Sequence, residues 1–143
     1  MTLRLLPVLL LVMAQGADAQ DNPADITVIV SGIRSDAGRI HVDICTEATF
    51  LKPCPWSAEA PARKGAVTVV VRGVPPGRYA VQAYHDANGN GDLDQGIFGI
   101  PKEGLGFSHD AMPRLKKPKF AVAAFDHGTT PQRVPVTLHY FLG

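Results

Sequence analysis

Long apolar runs, charge of one sign and cysteine are all in short supply in this 143-residue chain. The apolar stretch Leu5 to Ala14 (LLPVLLLVMA) has about ten residues, half of the roughly 20 that a membrane-spanning helix needs. Pro7 inside it argues further against an anchor helix. With 14 Lys and Arg against 13 Asp and Glu, the net charge is +1, and nothing in that balance attracts nucleic acid or an anionic membrane. The two cysteines, Cys45 and Cys54, lack C-x-x-C spacing, which removes the usual argument for a redox or metal-binding thiol pair. No H-x-H or H-E-x-x-H occurs among His41, His85, His109, His127 and His139, so zinc-hydrolase spacing is missing. G-x-S-x-G is absent as well, and Ser108 in Gly-Phe-Ser-His is not a nucleophile elbow.

What is there begins with an export leader. Arg4 supplies a positive start, the ten-residue apolar stretch follows, and Ala17-Asp18-Ala19 places small residues where a signal peptidase reads. Residues 1–19 are therefore expected to be a signal peptide cleaved before Gln20, leaving one domain over 25–142. Cleavage takes away one base and one acid, so the balance stays at +1. No cysteine stands at the cleavage point, which argues against a lipid anchor. The expected location is periplasmic or extracellular, with no membrane insertion after cleavage. In that oxidising setting Cys45 and Cys54, nine positions apart, are most simply a disulfide.

Alternation dominates the rest. Ile26, Val28 and Val30 share one face, and Ile40, Val42 and Ile44 repeat the pattern after the Ser35-Asp36-Ala37-Gly38 turn. Val67, Val69 and Val71 predict a third strand. Pro76 and Gly77, in Val74-Pro-Pro-Gly77, fit the two central positions of a type II turn. Tyr79, Val81 and Ala83 predict a fourth strand, Phe120, Val122 and Ala124 a fifth, and Val134, Val136, Leu138 and Tyr140 a last one. Residues 47–64 carry only a weak hint of a helical turn. Short strands with Gly/Pro turns and no amphipathic helix predict an all-β sandwich. The basic cluster Arg114, Lys116, Lys117 and Lys119, broken by prolines, reads as a solvated loop.

The strand pattern stops between His85 and Lys119, and loops of that length are usually functional or disordered. Ile97, Phe98, Ile100, Leu105 and Phe107 are too apolar for disorder, so the loop is expected to fold back over one end of the sandwich. Within it, Asp86, Asn88, Asn90, Asp92 and Asp94 put oxygens at alternate positions, with Gly91 where a calcium loop turns sharply. The bidentate Glu that an EF-hand needs at position twelve is Ile97 here. A calcium site would need a carboxylate from outside the motif, Glu103 or Asp110 being nearest. The segment is then either a weak calcium loop or a metal-free turn held by Asx hydrogen bonds, for which Asn-Gly-Asn-Gly is well suited.

The run Val74-Pro-Pro-Gly-Arg-Tyr-Ala, continuing through His85-Asp-Ala-Asn-Gly-Asn-Gly-Asp-Leu-Asp94, and the run Phe98-Gly-Ile-Pro-Lys-Glu-Gly-Leu-Gly-Phe-Ser108 resemble an exported bacterial family known as the domain of unknown function 2141. The resemblance covers Asp25 to Phe141. It implies a periplasmic or extracellular β-sandwich without an established activity. His109 departs from it, since the family tends to have asparagine there. The Pro-Pro-Gly-Arg-Tyr turn is also similar to transthyretin-like and carboxypeptidase-regulatory domains, so a sandwich of that or the immunoglobulin style is expected. Transthyretin-like hydrolases end in Tyr-Arg-Gly-Ser, whereas this chain ends Tyr140-Phe-Leu-Gly143.

Two functions of different class follow. One is a non-enzymatic binding or structural module that recognises an envelope or extracellular ligand, its long loop ordered with or without Ca²⁺. The other is a small periplasmic hydrolase with His85 as a base oriented by Asp86, and Glu103 nearby. A histidine at a strand end more often hydrogen-bonds to loop backbone, and no partner nucleophile is evident.

Overall fold

The computed structural model describes residues 22–93 and 101–142. The expected signal peptide, Asp94, Ile97, Phe98 and Ile100 lie outside the described residues.

Strand β1 (Ala24–Ile33) places Ile26, Val28 and Val30 inward, as alternation requires, and Ile33 too after a register shift at Gly32. β2 (Arg39–Cys45) follows the Ser35–Gly38 turn, where Gly38 takes the left-handed φ of +71°. β3 (Trp56–Pro61), β4 (Gly65–Val74) and β5 (Gly77–Asp86) complete the first half. β6 (Leu105–Phe107), a single helical turn α1 (Phe120–Ala123), β7 (Phe125–His127) and β8 (Gln132–Thr137) make the second.

Two sheets result. One has the order β4-β1-β8, with β1 antiparallel to β4 and parallel to β8. The other has the order β3-β2-β5-β6, all antiparallel, with β7 pairing onto the start of β5. Their facing sides enclose the main core, which holds Ile26, Val28 and Val30 against Ile40, Val42, Ile44 and Val81. This is an all-β sandwich, as expected.

Several local expectations fail. Phe120, Val122 and Ala124 do not form a strand. Phe120 and Ala123, three apart, face inward as one helical turn, while Val122 is 53% exposed. Three alternating residues are too few to separate the two periods. Residues 47–64 hold not a helix but reverse turns over 46–52 and then β3, whose Trp56, Ala58 and Ala60 lean on the core while Ser57 and Glu59 face out. Pro76-Gly77 is not a type II turn, because Gly77 lacks the left-handed φ and begins β5. The tightness there has another purpose. Tyr79 Oη donates to the Pro75 carbonyl at 2.8 Å, and a Cβ on Gly77 would sit 2.9 Å from the Tyr79 hydroxyl. A tyrosine closing back on the chain just upstream is a known corner device of sandwiches.

The long connection also contains a strand that alternation did not predict. β6 pairs Gln82 with Phe107 and Tyr84 with Leu105. The described part from 101 onward therefore lies along the edge and outer face of the second sheet rather than over one end of the sandwich. A second apolar cluster forms there from Ala80, Phe107, Met112 and Ala123, with Phe50 and Phe120 edge-on to one another. Ser108 holds it in place: fully buried, its Oγ donates to the Ala123 carbonyl at 2.6 Å and accepts the Val81 N–H at 2.9 Å. Gly106 has no room for a Cβ, which would collide with the Thr137 carbonyl. His109 and Asp110 then take left-handed φ of +55° and +48°. Asparagine, aspartate and histidine tolerate that region better than most residues.

Candidate functional site

In β2, β3 and β5 every second side chain points away from the core, and over 41–43, 57–59 and 82–84 those residues are polar. Register sets them in two rows. Glu59, His41, Tyr84 and Leu105 form one, and Ser57, Asp43, Gln82 and Phe107 the next. Each row runs from polar on β3 to apolar on β6. An uncovered sheet face would simply be solvated. Here the turns after β2 form one wall, with Leu51, Lys52, Pro53 and Cys54, and the 112–118 segment forms another, with Met112, Leu115, Lys116 and Lys117. Gly91, Asp92, Leu93 and Pro101 close a third side, giving a cleft of about 790 Å³. That is within the size range of small-molecule sites, roughly 300–1,000 Å³.

The floor is tied together by charge. His41 Nε2 lies 2.8 Å from Asp43 and its Nδ1 3.1 Å from Glu59, an arrangement that the doubly protonated ring satisfies on both sides. The Asp43 hydrogen bond, above all, holds His41 above the ordinary histidine range; burial opposes it and Glu59 adds to it. Glu59 is held below the usual carboxylate range, chiefly by His41 and then by Arg39, whose Nε lies 2.9 Å away. Tyr84 stacks on His41 with centroids 4.9 Å apart. Burial, and then the carboxylates of Asp86, Asp43, Glu59 and Asp92, push its phenol up to about 12, so it stays neutral. Its hydroxyl donates to the Gly91 carbonyl at 2.9 Å and hooks the third wall to the floor.

Gln82 performs the same service for the first wall. Its Oε1 accepts the Leu51 N–H at 3.0 Å, and its Nε2 donates to the Lys52 carbonyl and to Asp43, both at 3.0 Å. Cys45 and Cys54 form the expected disulfide, with Cα atoms 5.0 Å apart, which closes that wall covalently.

The acid- and amide-rich segment forms the rim beside this floor. Asp86, 2% exposed, accepts the Asn90 N–H at 3.1 Å and the Gly91 N–H at 2.8 Å, one on each carboxylate oxygen. The Asn88 side chain accepts from Asn90 N–H and the Asn90 side chain from Asp92 N–H, at 3.2 and 2.9 Å. Glu103 is buried and accepts the Ala87 N–H at 3.2 Å. These oxygens are thus acceptors in a series of Asx turns. Among the described residues, no three His, Cys, Asp or Glu are grouped to hold a metal. Asp94 lies outside them. Asp110 is taken by His139 Nε2 at 2.6 Å.

His85 and Asp86 are strand neighbours, so their side chains leave opposite faces of the sheet. His85 points inward, 2% exposed, with Nδ1 against Tyr140 Oη at 3.0 Å and Nε2 against the Ala37 carbonyl at 2.6 Å. Asp86 leaves the outer face, where it pairs across the sheet with Arg39 beyond the His41–Tyr84 row. The strand therefore holds the two side chains apart instead of pairing them.

A family model described as "Uncharacterized protein conserved in bacteria (DUF2141)" matches residues 28–135. The chain belongs to that family. No curated protein and no solved structure matches the chain. The matched DUF2141 region spans all the strands of the cleft floor and all three walls. Sequence reading found the rim through its motif but missed the floor, because His41, Asp43, Ser57, Glu59, Gln82 and Tyr84 look like the solvated side of alternating strands. The one available signal was the paired run of polar residues at 41/43, 57/59 and 82/84, whose convergence depends on register.

Proposed function

We propose that this protein is a non-enzymatic binding module of the bacterial cell envelope, exported to an oxidising compartment, whose ligand seats in the cleft on the outer face of the second sheet. The observation that carries it is the enclosure: a sheet face that could have met water is walled on three sides and graded from polar to apolar. Export is supported by the leader pattern in residues 1–19 and by the Cys45–Cys54 disulfide, since disulfides persist in oxidising compartments. Against catalysis stands the occupancy of the polar groups. Both His41 nitrogens are committed to carboxylates, Tyr84 is a neutral phenol, and His85 is turned into the core. The 86–93 rim serves in this proposal as a self-satisfied turn that supports the third wall without an ion.

The test is saturable binding of a neutral apolar fluorophore, N-phenyl-1-naphthylamine, followed by its emission. Stoichiometric binding is expected, weakened at least several-fold in Leu51→Asp and in Leu115→Asp, which place a charge on either lip. Equal binding in both variants and the parent would overturn the proposal.

A further inference from the structure

The cleft carries a mismatch between its lining and its mouth. Leu105, Phe107 and Met112 make the β6 side apolar, while Leu51 and Leu115 are exposed on opposite lips, at 40% and 52%. Each leucine is followed directly by lysine: Leu51-Lys52 on the disulfide wall and Leu115-Lys116-Lys117 on the facing wall. The acids of the floor are already answered. Asp43 has the His41 imidazolium and the Gln82 amide, and Glu59 has His41 and Arg39. Asp92 is the remaining carboxylate among the described lining residues. The ion pairs among the described residues involve Arg39, His41, Arg72 and His139, and no lysine. Lys52, Lys116 and Lys117 therefore line a cleft whose β6 side is apolar, and among the described residues none of the three has a carboxylate in ion-pairing range.

We propose that the cleft takes a soluble single-chain amphiphile with an anionic head, its chain running between Leu51 and Leu115 down to Leu105, where the buried Phe107 and Met112 offer only their edges, and its head among Lys52, Lys116 and Lys117. The inference rests on the cleft being the binding site and names the ligand class for it. Chain burial supplies most of the affinity, since apolar surface leaves water at about 25 cal/mol per Å². The lysines select the head, and their flexible stems can cover the chain while the charges stay in water. Interactions between exposed charges are individually weak and screened by salt, so the preference for an anion is expected to be of moderate size and to shrink as ionic strength rises.

The experiment displaces N-phenyl-1-naphthylamine with dodecanoate, dodecanol and dodecyltrimethylammonium, all below the concentrations at which they aggregate. Dodecanoate is expected to displace at about five- to tenfold lower concentration than dodecanol, and the cation to be poorest. The triple variant Lys52→Gln/Lys116→Gln/Lys117→Gln should lose the gap between acid and alcohol while dodecanol displaces as before. Alcohol and acid displacing equally, or the cation displacing best, overturns the anionic head and leaves the cleft itself intact. Fluorophore binding that none of the three displaces overturns the alkyl chain as ligand. Failure of the fluorophore to bind at all overturns the underlying cleft reading instead.

Discussion

Replacing His41 by alanine removes the cation at the centre of the cleft floor. Two hydrogen bonds between charged groups disappear, each worth about 1.5–3 kcal/mol when well buried. The one to Glu59 is discounted toward the surface value of below about 1 kcal/mol, because that side chain is 36% exposed. The one to Asp43 keeps its full weight, since the Asp43 side chain is only 11% exposed and retains just the Gln82 amide as a side-chain partner. The sum is about 2–4 kcal/mol, or a fall in Tm of roughly 6–15 °C for a domain of this size. The loss has a pH signature. A group whose pKa is raised on folding stabilises fully below its unfolded value and loses that contribution as pH climbs through the folded one. The His41 contribution is therefore complete below 6.5 and fades above it. Glu59, lowered on folding, works the other way: its share is present above 4.5 and is lost as the pH falls through its depressed value. The gap between parent and His41→Ala should thus be widest at about pH 5–6.5 and narrower at about pH 9 and pH 3.5. Adding Asp43→Asn to His41→Ala removes the stranded charge and should recover about half of the loss. Thermal melts across pH, followed by circular dichroism, measure both. A gap of the same size at pH 6 and pH 9, with no recovery from the second substitution, would refute the ion-paired floor.

Cys45→Ala/Cys54→Ala should cost about 2–3 kcal/mol on the loop-entropy estimate and weaken fluorophore binding, because the same link holds the first wall; denaturant titration and emission read the two effects. Ser108→Ala leaves the Val81 N–H and the Ala123 carbonyl without their buried partner and should cost about 2–4 kcal/mol in urea unfolding, with a loss below about 1 kcal/mol contradicting the seating of the second apolar cluster. His109→Asn should hold or raise stability by about 0.5 kcal/mol, since the side chain is exposed at a left-handed φ; a loss above 1 kcal/mol would speak for a specific contact of the imidazole. Asp86→Ala should cost about 1–3 kcal/mol through the Asn90 and Gly91 N–H groups, and the parent Tm should stay unchanged from chelator to about 5 mM Ca²⁺. A calcium-dependent rise in Tm that Asp86→Asn abolishes would instead establish an ion in the 86–94 loop.

Alternation at 26/28/30, 40/42/44, 67/69/71 and 79/81/83 was enough to read the sandwich, because burial of one sheet face imposes period two whatever the partner strand is. Where alternation is short or broken it misled. Phe120-Ala-Val-Ala fits either period, and Leu105-Gly-Phe has a glycine at its centre because Thr137 leaves no room for a Cβ, not because the chain turns there. The Asp86–Asp92 motif was visible as a string of oxygens, but whether those oxygens face an ion or N–H groups depends on how the chain coils around Asp86.

The sequence by itself determined the sheet class, the inward residues of the long strands, the disulfide partners and the family, since each follows from local spacing or from the identities of residues along the chain. Only the tertiary structure decided the site. His41, Glu59 and Tyr84 stand 18 to 43 positions apart and become neighbours through the register of three strands, and the walls above them come from segments 46–54, 91–93 and 112–118. A polar residue on an alternating strand carries the same local signature whether water or a wall lies above it. What separates the two is the path of distant chain, which no window along the sequence contains.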